Sequence, residues 1–484
     1  MIRQFCRDES GATLIFWAVS LAMIVGFVAL SWDLGRLSAS QSEMQSFSDQ
    51  VALAAAGELD GGPDAITRAN AAANTLVTRQ QSFADGGGTL GGADVTLTFY
   101  PDLPADDTAA LTGATVDPAA ARYVEATVTP RTLQFPFYRA FTAISGNAGA
   151  DTTQVGATAV AGFTSFACDV TPMFFCLPDP GYRAADNIGD TILLRSQGGG
   201  TAWGPGDYGF LDLNSIPQDP NGVCSGLNGA NLYRCLVAAE GPITQCYSLR
   251  GVDLEPGQRI GLADAAYNTK FDIFRASMNG ARNDPLYPPA PNTISGVGRN
   301  GAGCVAGSTT PTTSKEVPPD DCFASGTCSG NNRFGDGDWS TGRADYVAAN
   351  YGGTDPHPGA ATRWEYYQAE IAAAGGASST TPILDQTAYP TITERGRPQC
   401  SPHQSDDIYR RTFVTAGVDC TANTVRGSER NVPVLEFFEL FMLSPARTNG
   451  ASPPSVDIYA EIIGSASTGA GTDGLFHDFV QLYR

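Results

Sequence analysis

Histidine, basic charge and the familiar catalytic signatures are all scarce in this sequence. Only His357, His403 and His477 occur in 484 residues. None has a second histidine at metal-ligand spacing, and there is no HExxH. The cysteines include no CxxC, so the paired spacing of a zinc ribbon is missing. No GxSxG elbow presents a serine nucleophile, and no Walker A lysine is present. Gly296-Val297-Gly298-Arg299-Asn300-Gly301 matches GxGxxG, but it lies in a proline-rich stretch with no strand before it or helix after it. That is not the setting that turns backbone amides towards a dinucleotide. The expectation is a protein that is not an enzyme and uses no cofactor. Lys and Arg total 29 against 50 Asp and Glu, for a net charge of −21 and a pI near 4.4. Phosphate neutralisation needs a basic footprint, so nucleic acid is not an expected partner. Charged residues make up only 16%, and an acidic exterior suits solubility outside the cell. No internal repeat is evident.

What the chain does have is one long apolar run. Residues 12–32, ATLIFWAVSLAMIVGFVALSW, carry no charge, Pro, Asn or Gln. A bilayer core of about 30 Å needs about 20 apolar residues in a helix, because no backbone polar group is left unpaired in hydrocarbon. Arg3 and Arg7 precede the run and Asp33 follows it, so the positive-inside tendency puts residues 1–11 in the cytoplasm and the rest outside. Cys6 falls on the cytoplasmic side. Ten cysteines lie beyond the run: Cys168, Cys176, Cys224, Cys235, Cys246, Cys304, Cys322, Cys328, Cys400 and Cys420. An even set there predicts disulfides in an oxidising compartment, with connectivity left open. A cleaved signal peptide is the alternative, since Ser38 and Ser40 would allow a small-residue site. The apolar core exceeds the ~7–15 residues usual for one.

The run continues without a strong helix breaker to about Gly57. Leu37, Met44 and Val51 are spaced by seven, with Phe47 and Ala54 at the a/d offset, which predicts a packed helix face. Asp33, Asp49 and Glu58 are expected to face water. Within the span, Ala18, Ala22 and Gly26 repeat every four residues, a spacing that lets helix backbones approach closely. One helix from about Ser10 to Glu58, ~70 Å long, is predicted. A second helix over 64–83 and strands at 95–100, 123–129 and 154–161 complete an α+β module of residues 33–163, in which the long helix packs on a sheet. Residues 164–484 hold all ten far-side cysteines and read as a mixed α/β region. It includes a loop-rich insertion at about 285–330 stapled by Cys304, Cys322 and Cys328. Strands are expected at 432–443, 456–463 and 479–483. Asp336 and Asp338, with Asp345 nearby, are the candidate Ca²⁺ ligands, because alternating carboxylates suit a hard cation. Gly342 is one place late for an EF-hand loop, and the terminal Glu is missing.

Residues 5–59 resemble the N-terminus of TadG-like proteins of the bacterial tight-adherence (Flp) pilus assembly systems. The marks are Gly11 before the apolar run, then Asp33-Leu34-Gly35-Arg36, then Asp49 ahead of Leu53-Ala54-Ala55-Ala56. Residues 123–162 resemble that family's strand, short helix and strand. Residues 203–212 and 268–272 resemble segments of its longer members. Cleaved pilins of these systems carry Glu at the fifth position after the Gly, where this chain has Phe16. No DxSxS occurs either, so neither peptidase processing nor a von Willebrand A metal site is carried over. The resemblance implies a single-pass structural protein of the inner membrane, its bulk periplasmic or at the cell surface. Its implied partners are other pilus assembly proteins or pilin-like subunits and inner-membrane lipid. Two readings compete with it. One is a surface adhesin or carbohydrate-binding head using Trp203, Trp339, Trp364, Tyr366 and Tyr367. The other is a periplasmic hydrolase using carboxylate pairs such as Asp207 with Asp212 or Asp406 with Asp407.

Overall fold

The computed structural model describes residues 12–60, 63–75, 78–82, 84–104, 109–118, 120–145, 151–167, 170–197, 202–213, 222–241, 247–248, 251–255, 265–299, 304–305, 314–390, 392–449, 454–466 and 476–483. Two compact units emerge: Met1–Thr164 together with Asp478–Arg484, and Ser165–His477.

In the first unit, a single helix α1 (Ala12–Ala56) runs for 45 residues, about 67 Å at 1.5 Å per residue. Its two halves meet different surroundings. From Leu14 to Trp32 the large apolar side chains are half to two-thirds exposed. From Met44 onward the predicted Met44, Phe47 and Val51 have no exposed surface, nor do Ala52, Ala55 and Ala56, while Ala54 is partly buried. They pack on an antiparallel sheet whose strands β3 (Val95–Tyr100), β4 (Tyr123–Val128) and β7 (Thr158–Ala167) follow a hairpin of β1 (Arg79–Gln81) and β2 (Gly88–Leu90). Period-two alternation turns one row inward: Phe99 opposite Val124 opposite Ala161, and Leu97 opposite Ala126 opposite Ala159. The alanines keep that face shallow, so the helix comes close enough for Ser48 Oγ to donate to the Ala126 carbonyl at 2.7 Å. Gln41 and Gln45 reach the carbonyls of Gly156 and Thr158, and Arg36 reaches that of Gln134.

Two local expectations are corrected here. The second helix, α2 (Ala65–Thr75), buries Ala65, Ala69, Ala72 and Ala73 but stops short of residue 83. Its last turn is rich in side chains that bond back to the backbone, Asn74 to Asn70 O and Thr75 to Ala71 O. Such groups favour helix ends over helix interiors, and Arg79–Gln81 joins the hairpin instead. The single strand expected over 154–161 is two. β6 (Thr152–Val155) pairs with β5 (Arg131–Gln134), and β7 starts after Gly156-Ala157. A short helix α3 (Pro136–Ser145) lies between β5 and β6.

The second unit is built on β8 (Met173–Cys176), β9 (Thr191–Ser196), β10 (Asp207–Leu211), β13 (Thr412–Val418), β14 (Val434–Met442) and β16 (Val456–Ser465). Among its shorter strands, β11 (Tyr247–Ser248) pairs with Phe166 and Ala167. β12 (Leu254–Glu255) extends the sheet from β10, and β15 (Arg447–Thr448) extends it from β16. The main pairings close on themselves: β8 with β13, β13 with β14, β14 with β16, β16 with β9, β9 with β10, and β10 with β8. The result is a mixed six-stranded ring, which removes the exposed edges that an open sheet leaves. Ile192, Leu194, Leu440, Met442, Ile458, Ala460 and Ile462 alternate into one core. Phe441, Tyr459 and Ile463 point the other way, against α4 (Ser340–Tyr351) and α5 (Arg363–Ala373).

Of the loop-rich stretch expected at about 285–330, residues 300–303 and 306–313 lie outside the described residues. Residues 288–297 are buried throughout. Buried loop backbone is tolerated only when its polar groups are paired, and here ionic side chains do the pairing. Glu394 accepts from the amides of Ser295 and Gly296. Arg397 donates to Pro291 O, Arg410 to Pro288 O and Arg411 to Asn292 O.

Four disulfides join eight of the ten predicted cysteines: Cys176–Cys420, Cys224–Cys235, Cys304–Cys400 and Cys322–Cys328. Cys168 and Cys246 lie outside the described residues. So Cys304 clamps the loop to a distant segment, while Cys322 and Cys328 close a local turn. After the ring is complete, β17 (Phe476–Leu482) pairs with β7 of the first unit's sheet, and Tyr483 N donates to Val160 O at 2.8 Å. Tyr483 also stacks edge-on against Tyr123 over the bare Cα of Gly162, where a Cβ would meet the Tyr123 ring at 2.6 Å.

Candidate functional site

The feature that sets this fold apart is the point where α1 leaves its apolar half. Asp33 follows Trp32 directly and is 4% exposed; the expectation that it faces water is overturned. α3 is what buries it. Pro136 starts that helix with its φ pre-set and no N–H to leave unpaired, and the preceding Phe135 carries no side-chain acceptor to cap it. Asp33 Oδ2 supplies one from α1, accepting the Tyr138 amide at 2.9 Å. An anion at a helix N-terminus is favoured by the unpaired amides and the helix dipole. Asp33 Oδ1 is equally buried and has no hydrogen-bond partner among the described residues. Trp32 and Phe137 meet edge to face at 6.5 Å, and Phe137 and Tyr138 remain 45% and 39% exposed. Between the two helices runs a groove of about 450 Å³, lined by Gly26, Ala29, Leu30, Leu34, Phe135, Phe137 and Tyr138, with Asp33 as its charged group. The Asp33–α3 contact was not foreseen, although Asp33-Leu34-Gly35-Arg36 and a proline opening an aromatic helix were both visible signals.

The predicted packing residues divide along α1. Met44, Phe47 and Val51 are core, and Leu37 packs partly buried against it. Ala18, Ala22 and Gly26 lie on the bare half and are exposed; a Cβ on Gly26 would meet nothing within 4 Å. Asp49 accepts from Gln45, and Glu58 pairs with Arg68.

The calcium candidates are not gathered into one site. Asp336 and Asp338 each accept a backbone amide two residues on, and Asp345 pairs with Lys315 at 2.6 Å. Asp320, Cys322 and Asp336 place ligand atoms within 4.8 Å of one another. The Cys322 sulfur is bonded to Cys328, so no thiolate is offered. Asp320 is taken by Arg363, by the Thr191 hydroxyl and by the amides of Thr191, Asp336 and Gly337. Burial and the neighbouring Asp320 and Asp336 carboxylates push Asp190 up to about 6. On the other side of Arg363, Glu461 accepts the amides of Arg363 and Trp364. Burial pushes Glu461 up to about 7 against the pull of that guanidinium.

The other candidates are structural in their contacts. Trp203, Trp339, Tyr366 and Tyr367 are buried, and Trp364 stacks on Tyr367, so these rings do not form an open sugar platform. Asp207 pairs with Arg333, and Asp212 with Arg430. In the GxGxxG stretch the Gly296 amide is taken by Glu394; Asn300 and Gly301 lie outside the described residues.

α1 is bare and apolar along one half and forms the core of an α+β head along the other, the plan of an anchored, pilin-like protein. Among the described residues it is the one helix long and apolar enough to cross a membrane, by length and composition. Residues 11–58 match the family described as putative Flp pilus-assembly TadE/G-like. That match coincides with α1 almost residue for residue and bears out the TadG-like resemblance there, suggesting involvement in pilus assembly and membrane anchoring. No curated protein and no solved structure matches the chain.

Proposed function

We propose that this chain is a non-enzymatic, single-pass structural component of Flp-type pilus assembly. α1 holds it in the inner membrane with residues 1–11 cytoplasmic, and residues 33–484 lie on the periplasmic or outer side. The observation that carries the reading is the coincidence of the TadE/G-like match with a helix divided into a bare apolar half and a buried half. Four disulfides in the second unit support an oxidising compartment for it. Its partners would be other pilus assembly proteins or pilin-like subunits, meeting the exposed Ala18, Ala22 and Gly26 face within the bilayer.

The test combines topology and capture. A C-terminal tag should be cut by protease added outside the inner membrane, and the full chain should retrieve pilus assembly proteins from solubilised membranes. A protected tag, or normal piliation in a deletion strain with no assembly protein recovered, would overturn the reading.

A further inference from the structure

We propose that the groove between the exit end of α1 and α3 binds a membrane lipid whose headgroup carries an N–H donor, an aminophospholipid of the ethanolamine type. The inference rests on the anchoring of α1 proposed above. Three observations converge on it. The groove walls at Gly26, Ala29, Leu30 and Leu34 are continuous with the apolar span and offer an acyl chain only hydrocarbon contacts. Among the described residues, the one charged group in the lining is Asp33, which is nine-tenths buried. One of its oxygens is committed to Tyr138 N, and the other has no hydrogen-bond partner among the described residues. A buried carboxylate oxygen without a donor is costly, and an ammonium N–H satisfies both its charge and its lone pairs. Finally, Trp32, Phe137 and Tyr138 frame the groove with exposed aromatic surface, the composition that settles at the headgroup level of a bilayer.

A ligand apolar along one end and cationic with a free N–H at the other meets both halves of the groove. Choline lipids meet only the apolar half, because their quaternary nitrogen has no hydrogen to donate. A second copy of α1 would fill the apolar wall, but its nearest cation to Asp33, Arg36, already donates to the Gln134 carbonyl of its own chain.

The experiment uses the full chain in detergent, mixed with equal amounts of phosphatidylethanolamine and phosphatidylcholine of identical acyl chains, with bound lipid counted by native mass spectrometry. The expected result is retention of the ethanolamine lipid over the choline lipid by about tenfold, the ratio one charge-assisted hydrogen bond supplies. Asp33→Asn keeps an acceptor for the Tyr138 amide and so preserves α3, yet should bring that ratio to about one. Gly26→Leu, at a position where an added Cβ meets nothing within 4 Å, should reduce retention of both lipids. Equal retention by the wild type, or a preference unchanged in Asp33→Asn, would overturn the site. So would an Asp33-dependent dimer in place of bound lipid. Alkaline extraction of native membranes separates the two levels: release of the chain would sink the anchoring itself, whereas firm retention without a lipid preference sinks only the groove.

Discussion

Single charged residues hold the second unit together from inside, working as substitutes for regular secondary structure. Arg363 has no exposed surface and sits between Asp320 and Glu461 while also donating to Pro318 O and Gly189 O. Removing one member of a buried ion group leaves the others uncompensated. Arg363→Ala should therefore destabilise the unit by about 3–5 kcal/mol, read as lost amide-exchange protection in β9 and β16. Glu439 on β14 is buried, and that burial pushes its carboxyl up to about 7. A folded-state value above the ordinary one means the protonated form is favoured by folding. Its contribution is thus full below the ordinary carboxyl range and is lost as pH rises towards 7. Glu439→Gln should flatten the decline in melting temperature between about pH 5 and 8; an unchanged decline would place its source elsewhere. None of this was legible in the sequence. A charged residue reads as surface until a fold shows which backbone amides and carbonyls it must serve, and Asp33 was misplaced for the same reason.

At the scale of elements, α1 was the most legible part of the chain, because its seam repeats at helical spacing and its breakers are few. Phe47 lies fully buried against the sheet, and Phe47→Ala should cost the first unit about 3–5 kcal/mol. Ser48→Ala removes one buried hydrogen bond and should cost about 1 kcal/mol. Exchange in β4 should rank the two in that order. Strand positions were also readable from alternation. The end of α2 and the break between β6 and β7 were not, since both depend on competition between side chains and on pairing partners far away in sequence. α3 was anticipated only through the family resemblance, and its capping by Asp33 depends on a contact between residues 105 apart.

For the whole molecule, cysteine count and the lone apolar run indicated an anchored chain with disulfides beyond the anchor, while the closed six-stranded ring left no trace in local pattern. Ring closure requires β9 to pair with β10 on one side and with β16 on the other, and no window of sequence contains both. Cys176–Cys420 ties β8 to the end of β13 across 244 residues of sequence. Replacing the pair by serine should destabilise the second unit by about 2–5 kcal/mol, measured as a lower denaturation midpoint under non-reducing conditions.

The return of β17 to β7 carries a consequence for biosynthesis. Translation delivers residues 1–164 first, but the strand that completes their sheet is made only after all of 165–477. The small unit must therefore wait in a nascent form, anchored by α1, with one edge of β7 unpaired. Throughout that interval the second unit can fold and its disulfides can form. An exposed strand edge is a template for mispairing, so β17, made after the whole second unit, closes an edge that the first unit has left open until then.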